Sequence, residues 1–167
     1  KNDGSVVAWG KKMCGGGMTD SRDKNAYTGV PASMTNVRTI ASTKYAFAAL
    51  LEDGTVKGWG AAMHGGTSLP SLSNVRKIFT SRYVFAALQE DGSVKTWPWK
   101  YGWPVEVQHV YATQDTFVAI QNSGTAVPFG KNSPTPPTAL SGIMKVATTV
   151  DAFAALTTGG TVLAWGN

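Results

Sequence analysis

The chain has 167 residues, enough for one sizeable domain with a buried core, and 43% hydrophobic against 15% charged content excludes a disordered chain. No apolar run reaches the roughly 18 residues of a membrane span, so no transmembrane segment is expected. The net charge of +5 is uneven, with 13 Lys/Arg against 7 Asp/Glu over residues 1–100 and 2 against 3 over 101–167. An excess this modest serves solubility, and no nucleic acid is expected as a partner.

The chain opens with DGSVVAWG from Asp3, a fragment that returns later as the end of a longer unit, and it reads as a piece of something longer. The loop that follows, KKMCGGG (11–17), aligns with AAMHGG (61–66) and sets the single Cys14 opposite His64. Zinc needs three or four ligands and no others recur, so a backbone turn requiring Gly-Gly explains the pattern better than a metal site. No cofactor is expected.

From Val37 the chain repeats itself. VRTIASTKYAFAALLEDGTVKGW (37–59), VRKIFTSRYVFAALQEDGSVKTW (75–97), VQHVYATQDTFVAIQNSGTAVPF (107–129) and IMKVATTVDAFAALTTGGTVLAW (143–165) align without a gap. They divide the chain into a partial unit (1–36) and units 37–74, 75–106, 107–142 and 143–167 of a single repeat domain. Each stacks on its neighbours to bury a shared core.

Within a unit, Val37 and Ile40 open a short strand. Tyr45–Leu50 is apolar on both faces and so is a strand covered on both sides, with Phe47 and its equivalents Phe85, Phe117 and Phe153 as core in every unit. Asp53-Gly54 predicts a type I′ hairpin with positive φ at both central residues, and Thr55–Trp59 is the half-exposed return strand. The same turn falls at Asp91-Gly92, Ser123-Gly124 and Gly159-Gly160. Each linker keeps proline before the next unit (Pro31, Pro70, Pro104, then Pro134, Pro136 or Pro137), which limits it to a short outer strand. Three firm strands and one marginal one per unit make the chain all-β, built of β-propeller-like blades, as part of a larger ring or as an open or smaller array.

Val37, Ile40, Ala41, Ala49, Leu50, Asp53, Gly54, Val56, Trp59 and Gly60, with their equivalents downstream, resemble the repeats of the regulator-of-chromosome-condensation family. That family's repeats run Val-x-x-Val-Ala-Ala-Gly, His-Thr-Leu-Ala-Leu, Asp-Gly-x-Val-Tyr-x-Trp-Gly. This chain departs where the family has Gly (Thr43, Ser81, Thr113, Thr149) and His (Ala46, Val84, Thr116, Ala152), and its units are shorter. The resemblance implies a propeller and, as a second alternative function, guanine-nucleotide exchange. The loops that exchange requires have no recognisable counterpart here.

Catalysis finds no constellation: His64 and His109 occupy non-equivalent positions, and no Ser or Cys has a His partner. The function expected is a non-enzymatic module for protein–protein interaction, an accessory or scaffold subunit of a larger assembly. Candidate contacts are Arg38 and Arg76, then Lys57 and Lys95, which recur at equivalent positions and are expected to form one basic stripe. Leu163 stands at the apolar end of that row. The cluster TWPWKYGW adds Trp99, Tyr101 and Trp103, three aromatics without repeat equivalents, and makes a carbohydrate-binding propeller the first alternative.

Overall fold

A computed structural model describes residues 4–11, 14–16, 27–31, 34–102, 104–136 and 140–166. It is all-β: β1 (Tyr27–Thr28), β2 (Val37–Ser42), β3 (Ala46–Leu51), β4 (Val56–Ala61), β5 (Val75–Thr80), β6 (Phe85–Gln89), β7 (Val94–Trp97), β8 (Val107–Ala112), β9 (Thr116–Gln121), β10 (Ala126–Gly130), β11 (Ile143–Thr148), β12 (Ala152–Thr157) and β13 (Val162–Gly166). They form four antiparallel sheets, one per unit, called blades 1 to 4 in chain order. In each, the apolar middle strand lies between the first and third. Blade 1 has a fourth strand, β1, which comes from the preceding linker and pairs Tyr27 with Ala61. That is the marginal outer strand the prolines leave room for.

The pairing puts each recurring Phe beside the aromatic that ends its unit. Phe47 faces Trp59, Phe85 Trp97, Phe117 Phe129 and Phe153 Trp165, with stacked rings 4.9–5.4 Å apart. Phe85, Phe117 and Phe153 are fully buried. Phe47 is only half-buried, against the expectation of an equal core in every unit. Its outer side is lined by Val6, Val7, Ala8 and Trp9 of the opening unit, of which Trp9 is 84% exposed, and the space between stays open. The other three are covered because the small Ala46, Ala48, Ala86 and their equivalents let successive blades close on one another.

The hairpins differ from the type I′ turn expected. Only the glycine has positive φ (Gly54 79°, and Gly92, Gly124 and Gly160 78° each), while Asp53, Asp91 and Ser123 do not. Gly54 N–H donates to Leu51 C=O, and Leu51 N–H to Thr55 C=O. This is a three-residue loop with a glycine bulge, which requires one left-handed residue rather than two. Asp53 Oδ1 accepts from the backbone and hydroxyl of Thr55 (2.9 and 2.7 Å), and Asp91 does the same with Ser93. Asp here is a local turn acceptor, so Ser123 can replace it.

At the other end of each blade lies the turn between its first and second strands. Here the family's Gly is replaced by Ser or Thr, and the replacement has a use. Ser81, Thr113 and Thr149 each accept the N–H three residues on through the hydroxyl (3.0–3.3 Å), closing the turn with a side chain.

Three ladders bind successive blades. At the hairpin end, Val75 N–H donates to Gly54 C=O and Val107 N–H to Gly92 C=O. At the loop end, Lys44, Arg82 and Gln114 N–H groups donate to the carbonyls of Arg82, Gln114 and Val150 in turn. The third ladder uses a β-bulge that falls at the second residue of every first strand: Arg38, Arg76, Gln108 and Met144. The Arg38 guanidinium donates to Arg76 C=O (2.7 Å), and that of Arg76 to Gln108 C=O (2.8 Å). Arg38→Gln and Arg76→Gln are each expected to cost about 1 kcal/mol in equilibrium unfolding, the worth of one such bond. Two fully neutral variants would show that the ladder contributes no stability.

Candidate functional site

The two ends of the blades differ in chemistry. At the hairpin end, Lys57 and Lys95 lie beside the carboxylates of Asp53 and Asp91, whose pKa values are lowered by hydrogen bonds from Thr55 and Ser93 first and the lysines after. Lys95 Nζ also donates to Ser71 C=O (2.7 Å). The arginines sit on first strands and reach toward the next blade, whereas the lysines sit on third strands, across the middle strand from them. The four cations therefore make two rows instead of the single stripe expected, with carboxylates next to the lysine row and backbone carbonyls of the next blade engaging the arginines. Leu163, in the lysine row, packs against the core between blades 3 and 4. Among the residues at that level, Met144 and Val162 are the exposed apolar ones.

The loop end brings part-exposed aromatics together with exposed charged groups. Four equivalent turn positions hold Lys44-Tyr45, Arg82-Tyr83, Gln114-Asp115 and Val150-Asp151, so the character runs from basic and aromatic to acidic along the blades. Lys44 lies over the Tyr45 ring and Arg82 over the Tyr83 ring, 5.0 and 5.1 Å from their centroids. His64 joins them, its ring 4.7 Å from Tyr45 and 5.6 Å from Tyr83. Its loop is fixed by Gly65 and Gly66, which press on Phe85, Trp97 and Gly60 as Gly15 and Gly16 press on Phe47, Trp59 and Gly10. This is the backbone reason for the Gly-Gly pattern shared with the Cys14 loop.

Next to this cluster, between blades 2 and 3, opens a cleft of about 530 Å³ lined by Tyr83, Trp99, Tyr101, Asp115, Lys131 and Asn132 among others. Trp99 and Tyr101 thus do lie together. Burial first and Asp115 second push the Tyr101 hydroxyl pKa up. Trp103 lies outside the described residues. Sequence reasoning missed Tyr83, Asp115, Lys131 and Asn132. The available signal for Tyr83 and Asp115 was that turn position 45 and its equivalents change from Tyr to Asp between the second and third units.

Both histidines are held below the ordinary imidazole pKa, by burial first, then by Lys44 at His64 and by Lys77 and Arg76 at His109. As pH falls through 6.5 the unfolded chain takes up protons that the folded chain resists, so stability is full above 6.5 and falls below it. The urea midpoint is expected to be lower at about pH 5 than at about pH 8, with carboxylates ionised throughout, and His109→Gln should narrow the gap. A midpoint that rises on acidification contradicts this.

No family model and no curated protein matches the chain. Solved structures do. The CRINKLY WD40 ectodomain of the Arabidopsis thaliana receptor kinase ACR4 superposes with a TM-score of 0.62 at 19% identity, over 78% of this chain and 50% of that one. Prp20p of Saccharomyces cerevisiae, described with its binding to Gsp1p and histones, gives 0.59 at 17%, over 82% and 47%. The Physcomitrella patens receptor kinase CR4 ectodomain gives 0.59 at 14%, over 78% and 39%. Prp20 is yeast RCC1, also solved bound to Kap60, so the resemblance read from the repeats extends to the fold. The chain spans about half the length of these structures or less. Among the described residues no helix is long and apolar enough to cross a membrane.

Proposed function

We propose that this chain is a non-enzymatic module that engages a protein partner through the loop end of its blades, as an accessory or scaffold subunit of a larger assembly. One observation carries the reading. The residues shared by all four units are used in the core, the turns and the inter-blade ladders, while the loop end of blades 1 and 2 gathers exposed Lys44, Met63 and Arg82 around the part-exposed rings of Tyr45, His64 and Tyr83. Met63 is 82% exposed beside them, and an apolar side chain within a charged rim suits a protein surface. Proteins of this fold are described in complex with Kap60 and as binding Gsp1p and histones, which supports a protein partner of some kind.

The test is quantitative capture from the source with three baits. A partner held by the wild type is expected to be lost when Lys44 and Arg82 become Gln and Met63 becomes Asp. It should be retained when Arg38, Arg76, Lys57 and Lys95 become Gln, and when Leu163 becomes Asp. Loss confined to the second or third bait would move the contact to the hairpin end, and a partnerless wild type would end the proposal. Accelerated nucleotide release from a small GTPase would replace it with the exchange reading.

A further inference from the structure

We propose that the cleft between blades 2 and 3 binds a neutral saccharide, one sugar ring lying against Trp99 and Tyr101 with its hydroxyls met by Asp115, Lys131 and Asn132. This goes beyond protein docking, since it assigns a small-ligand site. A volume of about 530 Å³ lies in the range of small-molecule sites and admits one or two sugar rings. Trp99 is 43% exposed and Tyr101 is packed on its inner side against the core between blades 2 and 3, so aromatic surface faces the opening. A pyranose presents C–H faces to such rings and a rim of hydroxyls, each both donor and acceptor.

The polar groups fit that rim. Asp115 can only accept, Lys131 can only donate, and the Asn132 amide does both. None of the three side chains makes a hydrogen bond or ion pair with another described residue. One carboxylate and one ammonium leave the lining without net charge, which argues against a polyanion and against a cationic side chain alike.

The cleft is also fixed in shape by two threonines that break the repeat. Thr96 stands where the other units have Gly58, Pro128 and Ala164, and Thr116 where they have Ala46, Val84 and Ala152. Both are buried. Thr96 Oγ1 donates to Trp99 C=O (2.8 Å) and accepts from Tyr101 N–H (3.1 Å), holding both aromatics by their backbone. Thr116 Oγ1 lies within hydrogen-bond reach of Phe129 C=O (3.0 Å) and Ser133 Oγ (2.9 Å), and Ser133 Oγ of Gly130 C=O (3.1 Å), so the two hydroxyl protons satisfy two of these three contacts at a time and tie down the loop that carries Lys131 and Asn132. Two buried hydroxyls that depart from the repeat, one holding each loop beside the cleft, are what a preorganised site requires.

The test is an array of neutral and sialylated oligosaccharides, followed by calorimetry of the intact chain with free cellobiose, maltose and chitobiose. Saturable binding of at least one neutral sugar is expected. Trp99→Ala and Asp115→Asn should each weaken it by about ten-fold or more, and Val162→Ala, exposed on blade 4 and outside the cleft, should leave it unchanged. Thr96→Val should weaken it while the unfolding midpoint shows a folded protein. The proposal is overturned if the folded wild type binds no neutral sugar, or if Trp99→Ala and Asp115→Asn both bind normally. It is equally overturned if glycoproteins whose capture is lost with Trp99→Ala still bind the wild type after deglycosylation, which would assign the cleft to a protein surface.

Discussion

Phe85→Ala and Phe117→Ala are each expected to lower stability by about 3–5 kcal/mol, as for a buried aromatic whose cavity cannot collapse. Both side chains are 0% exposed, stacked on Trp97 and Phe129 and packed against the preceding blade. The surrounding alanines are already at backbone contact distance and have no side-chain length with which to fill the space. Phe47→Ala should cost clearly less, because Phe47 is half-buried and borders open space along Val7 and Trp9. Equilibrium unfolding by urea gives all three values. Equal losses at Phe47 and Phe85 would show that exposure at the first blade does not exist in solution, and losses below about 1 kcal/mol at both Phe85 and Phe117 would overturn the blade assignment itself.

The strands were legible because blade packing is a sequence-local demand. An apolar run with Phe at its centre, a glycine turn and an alternating return strand each report their own environment, and four aligned copies fix the boundaries. Turn type was less legible, since Asp-Gly serves either a type I′ turn or a glycine bulge, and only the bond from Gly54 to Leu51 decides. The basic residues show a further limit. Equivalence between units placed Arg38 with Arg76 and Lys57 with Lys95 correctly, but whether the two pairs share a surface depends on strand order and on the bulge at Arg38. The cleft lay deepest. Trp99 and Tyr101 stood out because they break the repeat, whereas Asp115 and Lys131 join them only when blades 2 and 3 are side by side.

Gly60, the buried glycine that follows the closing aromatic of blade 1, should not tolerate a side chain. Gly60 has φ +108°, and an added Cβ would stand 2.7 Å from Tyr45 O and 2.8 Å from Ala46 Cα, both backbone or backbone-attached atoms that cannot swing aside. Left-handed strain alone is of order 1–3 kcal/mol, and displacement of the Tyr45 turn adds to it. Gly66 meets the same chain from the other side, its Cβ falling 2.6 Å from Gly60 C and O. Gly60→Ala and Gly66→Ala are therefore expected to lower the unfolding midpoint substantially, and their combination by less than the sum, since both displace the backbone at Gly60. Gly102→Ala is the control: nothing lies within 4 Å of its added Cβ, and a change within about 0.5 kcal/mol is expected. Because Gly65 and Gly66 fix the loop bearing Met63 and His64, Gly66→Ala should also weaken partner capture at temperatures where the protein remains folded. A Gly66→Ala protein of wild-type stability would mean that the loop does not pack on blade 1, and that the surface assembled from Tyr45, His64 and Tyr83 is not built as described.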